Sequence, residues 1–193
     1  MRVPFALLLL AFGGAVQAAP VTIDFSGDLE DGDVIQTQGF EFTSQDALSG
    51  STLPVLIVDD PGNQYAVYCP TCLGLMTNIA GQPFSLQSVD FTSLVFFGPE
   101  TDATLTVTGF YSGGGQVSQT VVVPPGSRPA DLTAITFLFG SGWNSLVGVE
   151  FGATDILAAV ALDNIVVDIV PIPAAVWLFG SALVGMGWFR RAS

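Results

Sequence analysis

From residue 19 to residue 168 the chain is written in period two. Thr104-Leu105-Thr106-Val107-Thr108 alternates polar and apolar positions, as do Val147-Gly148-Val149-Glu150-Phe151 and, with one extra valine, Ile165-Val166-Val167-Asp168-Ile169. Alternation of this kind buries one face of a strand and leaves the other polar. Further strand candidates, rich in β-branched and aromatic residues, lie at 21–25, 40–43, 54–58, 84–97, 117–123 and 134–139. Turn-forming residues separate them: Gly27, Asp59-Asp60-Pro61-Gly62-Asn63, Gly98-Pro99, Gly113-Gly114-Gly115, Pro124-Pro125-Gly126 and Gly140-Ser141-Gly142. No helical run of three turns interrupts this body. The pattern predicts an all-β domain over 19–168, an antiparallel β-sandwich with one face of each sheet turned inward. No repeat of fixed period is present, which argues against a solenoid or propeller.

The two ends break the pattern. Arg2 precedes an apolar run, 3–12, which gives way to small residues at Val16-Gln17-Ala18-Ala19. That is the layout of a secretory signal peptide over 1–18, and the run is short for a membrane span. At the other end, Ala174 to Phe189 carries no charge and is followed by Arg190 and Arg191. Sixteen helical residues reach about 24 Å, enough to cross a locally thinned bilayer, with the arginine pair on the cytoplasmic side. Pro171 and Pro173 stop such a helix from running back into the body. Both ends therefore predict the same orientation, with the body outside the cytoplasm.

Composition narrows the function. Of the 193 residues half are hydrophobic and 11% charged, with no histidine. There is also no lysine. All 17 acidic residues lie between Asp24 and Asp168, and the one cation inside that span is Arg128. Such a body cannot neutralise phosphates, which excludes nucleic-acid binding. The missing histidine removes Ser-His-Asp catalysis and histidine metal sites. Lysine-based chemistry goes too. Gly113-Gly114-Gly115 has no following helix or lysine and reads as a hairpin turn, not a phosphate loop. A glycosidase built on two carboxylates is the remaining enzyme reading, but among 17 acids some pair falls at a suitable separation by chance.

The C-terminal segment Val170-Pro171-Ile172-Pro173-Ala174-Ala175-Val176-Trp177-Leu178-Phe179-Gly180-Ser181, with its Arg190-Arg191 end, resembles the PEP-CTERM sorting signal of Gram-negative bacteria. Ile172 stands where the family carries its acidic residue. The resemblance covers 169–193. It implies recognition by a membrane-embedded exosortase, removal of the helix 174–189, and passage of the body to the cell surface or extracellular matrix of an exopolysaccharide-producing cell. A second resemblance lies in the body. Phe84-Ser85-Leu86-Gln87-Ser88-Val89-Asp90-Phe91, Val107-Thr108-Gly109-Phe110, Trp143 to Phe151 and Leu162 to Val167 are similar to galactose-binding-like jelly rolls. Such modules include both carbohydrate binders and matrix proteins without a ligand.

Three groups of residues carry candidate chemistry. Cys69-Pro70-Thr71-Cys72 is the only cysteine pair, and in an exported protein it predicts a disulfide; a redox-active dithiol is the alternative, although CxxC redox sites usually open a helix in a βαβ setting. Asp28, Glu30, Asp31 and Asp33 crowd one segment and read first as a solvated turn. The other reading is a calcium site, with Asp163 as the distant ligand that the jelly-roll resemblance implies. Tyr65, Tyr68, Tyr111 and Trp143 are candidate platforms for stacking on a sugar, while a tryptophan in such a position also commonly fills core. The expectation is therefore an exported, non-enzymatic β-sandwich of the surface or matrix. The competing readings are a carbohydrate-binding module adhering to exopolysaccharide and a periplasmic glycosidase.

Overall fold

The computed structural model describes residues 19–27, 29–60, 63–95, 102–126, 134–153 and 158–169. The signal peptide, the sorting motif Val170, Pro171, Ile172 and Pro173, the helix at 174–189, and Arg190 and Arg191 lie outside the described residues, as does Asp28. Among the described residues no helix is long and apolar enough to cross a membrane. Ala19–Val170 is one compact unit.

Its strands, in chain order, are β1 (Pro20–Ile23), β2 (Val34–Thr37), β3 (Phe40–Asp46), β4 (Thr52–Leu53), β5 (Leu56–Asp60), β6 (Asn63–Tyr68), β7 (Cys72–Asn78), β8 (Phe84–Val95), β9 (Ala103–Tyr111), β10 (Gln116–Val123), β11 (Pro125–Gly126), β12 (Ile135–Leu138), β13 (Leu146–Ala153) and β14 (Ala158–Ile169). They form two layers. One runs β2–β3–β7–β13–β9–β10, with β4 extending the β2 edge. The other runs β12–β8–β14–β6–β5; β1 lies beside the second half of β14, and β11 continues the β12 edge. All pairings are antiparallel except β11 with β8. Among the described strands one pair, Leu146 with Phe84, links the layers, and an isolated bridge between Gly32 and Val55 ties the segments before β2 and β5.

The inward positions are those the alternation predicts. Phe40, Phe42, Met76, Leu105, Val107, Val149 and Phe151 come from the first layer. Tyr68, Leu86, Val89, Phe91, Val160, Leu162, Ile165 and Val167 come from the second, and all are buried. Aromatic rings meet between the layers: Phe40 and Phe84 lie edge to face with centroids 5.2 Å apart, and Phe91 meets Phe151 at 6.3 Å. Burial of each such ring stabilises the fold by about 1.5–3 kcal/mol.

The chain passes from one layer to the other at Cys69-Pro70-Thr71-Cys72, the turn between β6 and β7. Just inside this corner the Tyr68 ring lies stacked against Phe151 at 6.5 Å, over Gly74. A Cβ on residue 74 would sit 2.4 Å from Tyr68 Cζ, so glycine in mid-strand is a slot for the ring, not a break in the strand. The Tyr68 hydroxyl is buried without a hydrogen-bond partner, and burial pushes its pKa far above the ordinary phenol range.

These contacts give opposite expectations for two neighbouring substitutions. Gly74→Ala should lower unfolding stability in urea by about 1–3 kcal/mol, as overpacking does. Tyr68→Phe keeps the ring and removes the partnerless hydroxyl, so it should leave stability unchanged or raise it by about 1 kcal/mol.

Candidate functional site

The outward face of the second layer carries polar groups where two strands slip out of phase. Along β8 the residues that enter the main core are Phe84, Leu86, Val89 and Phe91, so the alternation skips a residue at Gln87-Ser88. Along β14 they are Val160, Leu162, Ile165 and Val167, with a skip at Asp163-Asn164. The β8–β14 register shifts at the same places, between Asp163 and Val166 and between Val166 and Val167. Each slip is a β-bulge, which re-aims a side chain and frees it from the ladder.

The first bulge turns Gln87 onto the face that carries Asp168, and the Gln87 amide donates to Asp168 Oδ2. The other carboxylate oxygen, Asp168 Oδ1, is closed off from water and accepts no hydrogen bond. Beside this pair is an open cleft of about 410 Å³, lined by Ser85, Leu86, Gln87, Ser88, Leu138, Phe139, Gly140, Ser141, Asn144 and Asp168. Its far wall is the loop after β12. That loop is held from beneath by Trp143, whose ring packs on Phe139 at 4.5 Å and whose carbonyl accepts from Leu86 N–H at 3.0 Å. Tyr111 adds a second tie, its hydroxyl donating to the Gly142 carbonyl at 2.6 Å. Asn144 donates to the Ser141 carbonyl, which fixes both as lining groups. Leu138, 76% exposed, offers an apolar rim.

The second bulge places Asn164, at φ 44°, between two carboxylates. Its amide donates to Asp90 Oδ2 at 3.0 Å and to Asp163 Oδ2 at 3.1 Å, and Thr136 donates to Asp90 Oδ1 at 2.5 Å. Asp163 is itself buried, and its Cα partner across the ladder is Asp90. Donors on both acids offset part of the cost of holding two carboxylates side by side.

The sequence-predicted residues fall elsewhere. Trp143, Tyr68 and Tyr65 are 4%, 1% and 7% exposed, so none has a ring face open to a sugar. Trp143 and Tyr68 fill the main core, and Tyr65 packs with Val67, Ala159 and Ala161 in a smaller apolar cluster. Tyr111 is half-buried with its hydroxyl engaged. Glu30, Asp31 and Asp33 are exposed, and Asp31 Oδ1 accepts from Ile57 N–H at 2.7 Å, clipping β5 to this segment. Among the described residues no three acidic or cysteine side chains come together as a metal site, so Asp163 does not join Glu30, Asp31 and Asp33 in one.

Cys69 and Cys72 form the expected disulfide, with Cα atoms 5.0 Å apart. It closes the inter-layer corner, where Cys72 N–H also donates to the Cys69 carbonyl at 2.9 Å and Ala47 N–H donates to the Thr71 carbonyl at 3.0 Å. Asp46 braces the adjoining turn. Its carboxylate accepts from the Ser49 backbone, the Ser49 hydroxyl and the Leu48 backbone, and these bonds hold its pKa below the usual 3.8.

Ser85, Gln87, Ser88, Ser141, Asn144 and Asp168, the polar side chains lining the cleft, are not among the site residues the sequence predicts. The signal that finds them is the skipped residue in each apolar series.

No family model matches the chain, and no curated protein sequence matches it. Solved structures do resemble it. A family 29 carbohydrate-binding module is 10% identical over 79% of this chain and 89% of its own, with a TM-score of 0.49. A variant of a family 29 module complexed with mannohexaose is 9% identical over 79% and 92%, at 0.48. The family 11 module of a cellulosomal cellulase of Clostridium thermocellum is 10% identical over 79% and 95%, at 0.37. At such scores no residue or ligand is transferred from them.

Reducing the disulfide should cost about 2 kcal/mol, the loop-closure entropy of a four-residue loop, and leave the fold intact because backbone bonds also hold the corner. Urea midpoints with and without reductant measure it. The Asp46 brace is complete above pH 3.8 and is lost as pH falls through the lower folded-state pKa. The Ser49 amide proton should therefore titrate, by NMR, with a midpoint below 3.8.

Proposed function

We propose that the body is a carbohydrate-binding module which holds a neutral polysaccharide in the cleft beside Asp168, on a protein exported through its leader and sorted by its PEP-CTERM-like tail to the cell surface or matrix. The observation that carries the binding reading is Asp168 itself: a carboxylate on the lining of an open cleft, one oxygen bound by Gln87 and the other enclosed without a donor. A shift of the Gln87 side chain would open Asp168 Oδ1 to a ligand hydroxyl, whose bond would remove a cost of about 1–3 kcal/mol. The serine hydroxyls and the amides of Gln87 and Asn144 are donors and acceptors of the kind that read a polyol, and Leu138 and Phe139 supply apolar surface for a sugar face.

Charge selects the class of polymer. With 17 acids around one internal arginine, the body repels anionic polysaccharides and favours uncharged ones. The lining carries one carboxylate, whereas glycoside hydrolysis takes two, which favours binding over turnover.

Titration against a panel of neutral and anionic polysaccharides tests this. Saturable binding to a neutral member is expected, with Asp168→Asn weakening it about tenfold, the equivalent of about 1.4 kcal/mol. Trp143→Ala should weaken binding too, but together with a loss of stability of about 3–5 kcal/mol, because it undercuts the loop that forms the wall. Absence of saturable binding across the panel, or affinity unchanged in both Asp168→Asn and Gln87→Ala, would return the protein to the structural-matrix reading.

A further inference from the structure

The first layer ends in β10, which pairs only with β9 among the described strands. Tyr111 N–H donates to the Gly115 carbonyl at 3.1 Å, so residues 111 and 115 face each other through their backbones. With the β9–β10 register, backbone groups then alternate: Val117, Gln119 and Val121 turn theirs to β9, and Gln116, Ser118, Thr120 and Val122 turn theirs to the open edge. The Gln119 side chain donates to the Thr120 carbonyl at 3.2 Å, which marks that carbonyl as an outward one. Gln116, Ser118, Gln119, Thr120 and Val122 are exposed, Val122 to 56%, while Val121 and Val123 are buried in the core.

Open edges of this kind pair with other strands unless charge, proline, a bulge or short length prevents it. The other edges have such protection. The β5 sequence ends in Asp59-Asp60, β2 follows Asp31 and Asp33 with Glu41 opposite Gln36, β1 begins with a proline, and β12 is four residues long. β10 has none. Gln116-Val117-Ser118-Gln119-Thr120-Val121-Val122-Val123 is uncharged, regular in register and rich in β-branched residues, and the chain from Ala103 to Ala130 contains no acid.

We propose that β10 is the docking edge for a second copy of this chain, added antiparallel so that one sheet runs through both. Charge argues for self-pairing. Two acidic bodies repel wherever their carboxylates approach, and β10 is the edge on which they meet without opposing like charges. A two-fold axis at Gln119 satisfies all the outward backbone groups at once, because it sets Ser118 against Thr120 of the second copy and Gln116 against Val122. Since the described strands offer one such edge, the assembly closes as a dimer.

Site-specific crosslinking of the full-length chain in mild detergent tests both the pairing and its register. Gln119→Cys places two thiols opposite each other across the axis, at the close spacing of a non-hydrogen-bonded pair, where a disulfide fits. Val122→Cys places them far apart along the strands. Oxidation should crosslink the first into dimers at least roughly tenfold faster than the second. Adding Ser118→Glu and Thr120→Glu to Gln119→Cys should abolish the crosslink. Mixing that chain with one carrying Ser118→Lys and Thr120→Lys on the same Gln119→Cys background should restore it, which a misfolded variant could not do. Equal crosslinking at both positions, a monomeric wild-type chain, indifference to the glutamates, or crosslinks only to other proteins would each overturn the proposal.

Discussion

Two sheets packed face to face impose strict alternation on every strand between them. A one-residue slip turns all following side chains to the wrong face, so a slip is tolerated only where a bulge absorbs it. This chain contains two such slips on neighbouring strands, at Gln87-Ser88 of β8 and Asp163-Asn164 of β14. Beyond each, the apolar series resumes in phase and the core closes over Leu86, Val89, Ile165 and Val167. The extra residues have no inward place to go, and they are polar. The cleft at Asp168 and the Asp90–Asn164–Asp163 group are thus two results of one constraint, the need to restore phase across the β8–β14 ladder.

Charge is the second constraint, and it acts on the outer surfaces. Acids spread over the body, with Arg128 the only cation between Asp24 and Asp168, make nearly every outward face unattractive to anions and to another copy of the same chain. Uncharged surface therefore carries information here that it would not carry on a mixed-charge protein. The cleft lining holds one acid among serines and amides, and the β10 edge holds none. The general repulsion is weakest at those two places.

How far the sequence could be read follows from the same physics. Strands whose inward residues are β-branched or aromatic, such as β8, β9, β10 and β13, show themselves by alternation. β6 and β7 do not: Ala66, Val67 and Tyr68 are all buried, since β6 has apolar neighbours on both faces, and Gly74 imitates a strand break while serving as the seat of the Tyr68 ring. β2 was too short and too polar to stand out. The disulfide was legible because Cys69 and Cys72 are the only two cysteines and stand three residues apart. The cleft residues were harder. Aromatic residues drew attention as platforms, yet in a sandwich of this size the large rings are needed between the sheets, and Trp143 and Tyr68 are spent there. The extra valine, Val166, marks no slip, since Ile165 and Val167 alternate inward on either side of it; the skipped position lies at Asp163-Asn164, where no apolar residue draws attention to it.

The placing of Asp168 also ties the site to completion of the fold. Its ladder neighbour on one side is Ser85 of β8, and on the other it is Pro20, the first residue of β1. The first and last strands of the body are therefore hydrogen-bonded to each other, through Pro20–Asp168 to Ile23–Ile165. Closing so long a loop is slow, because its entropy is lost before the contact repays it. The carboxylate at the centre of the cleft is consequently fixed only when both ends of the body are present. A chain of this topology stays open until its last strand has emerged, and the cleft is completed in that final pairing.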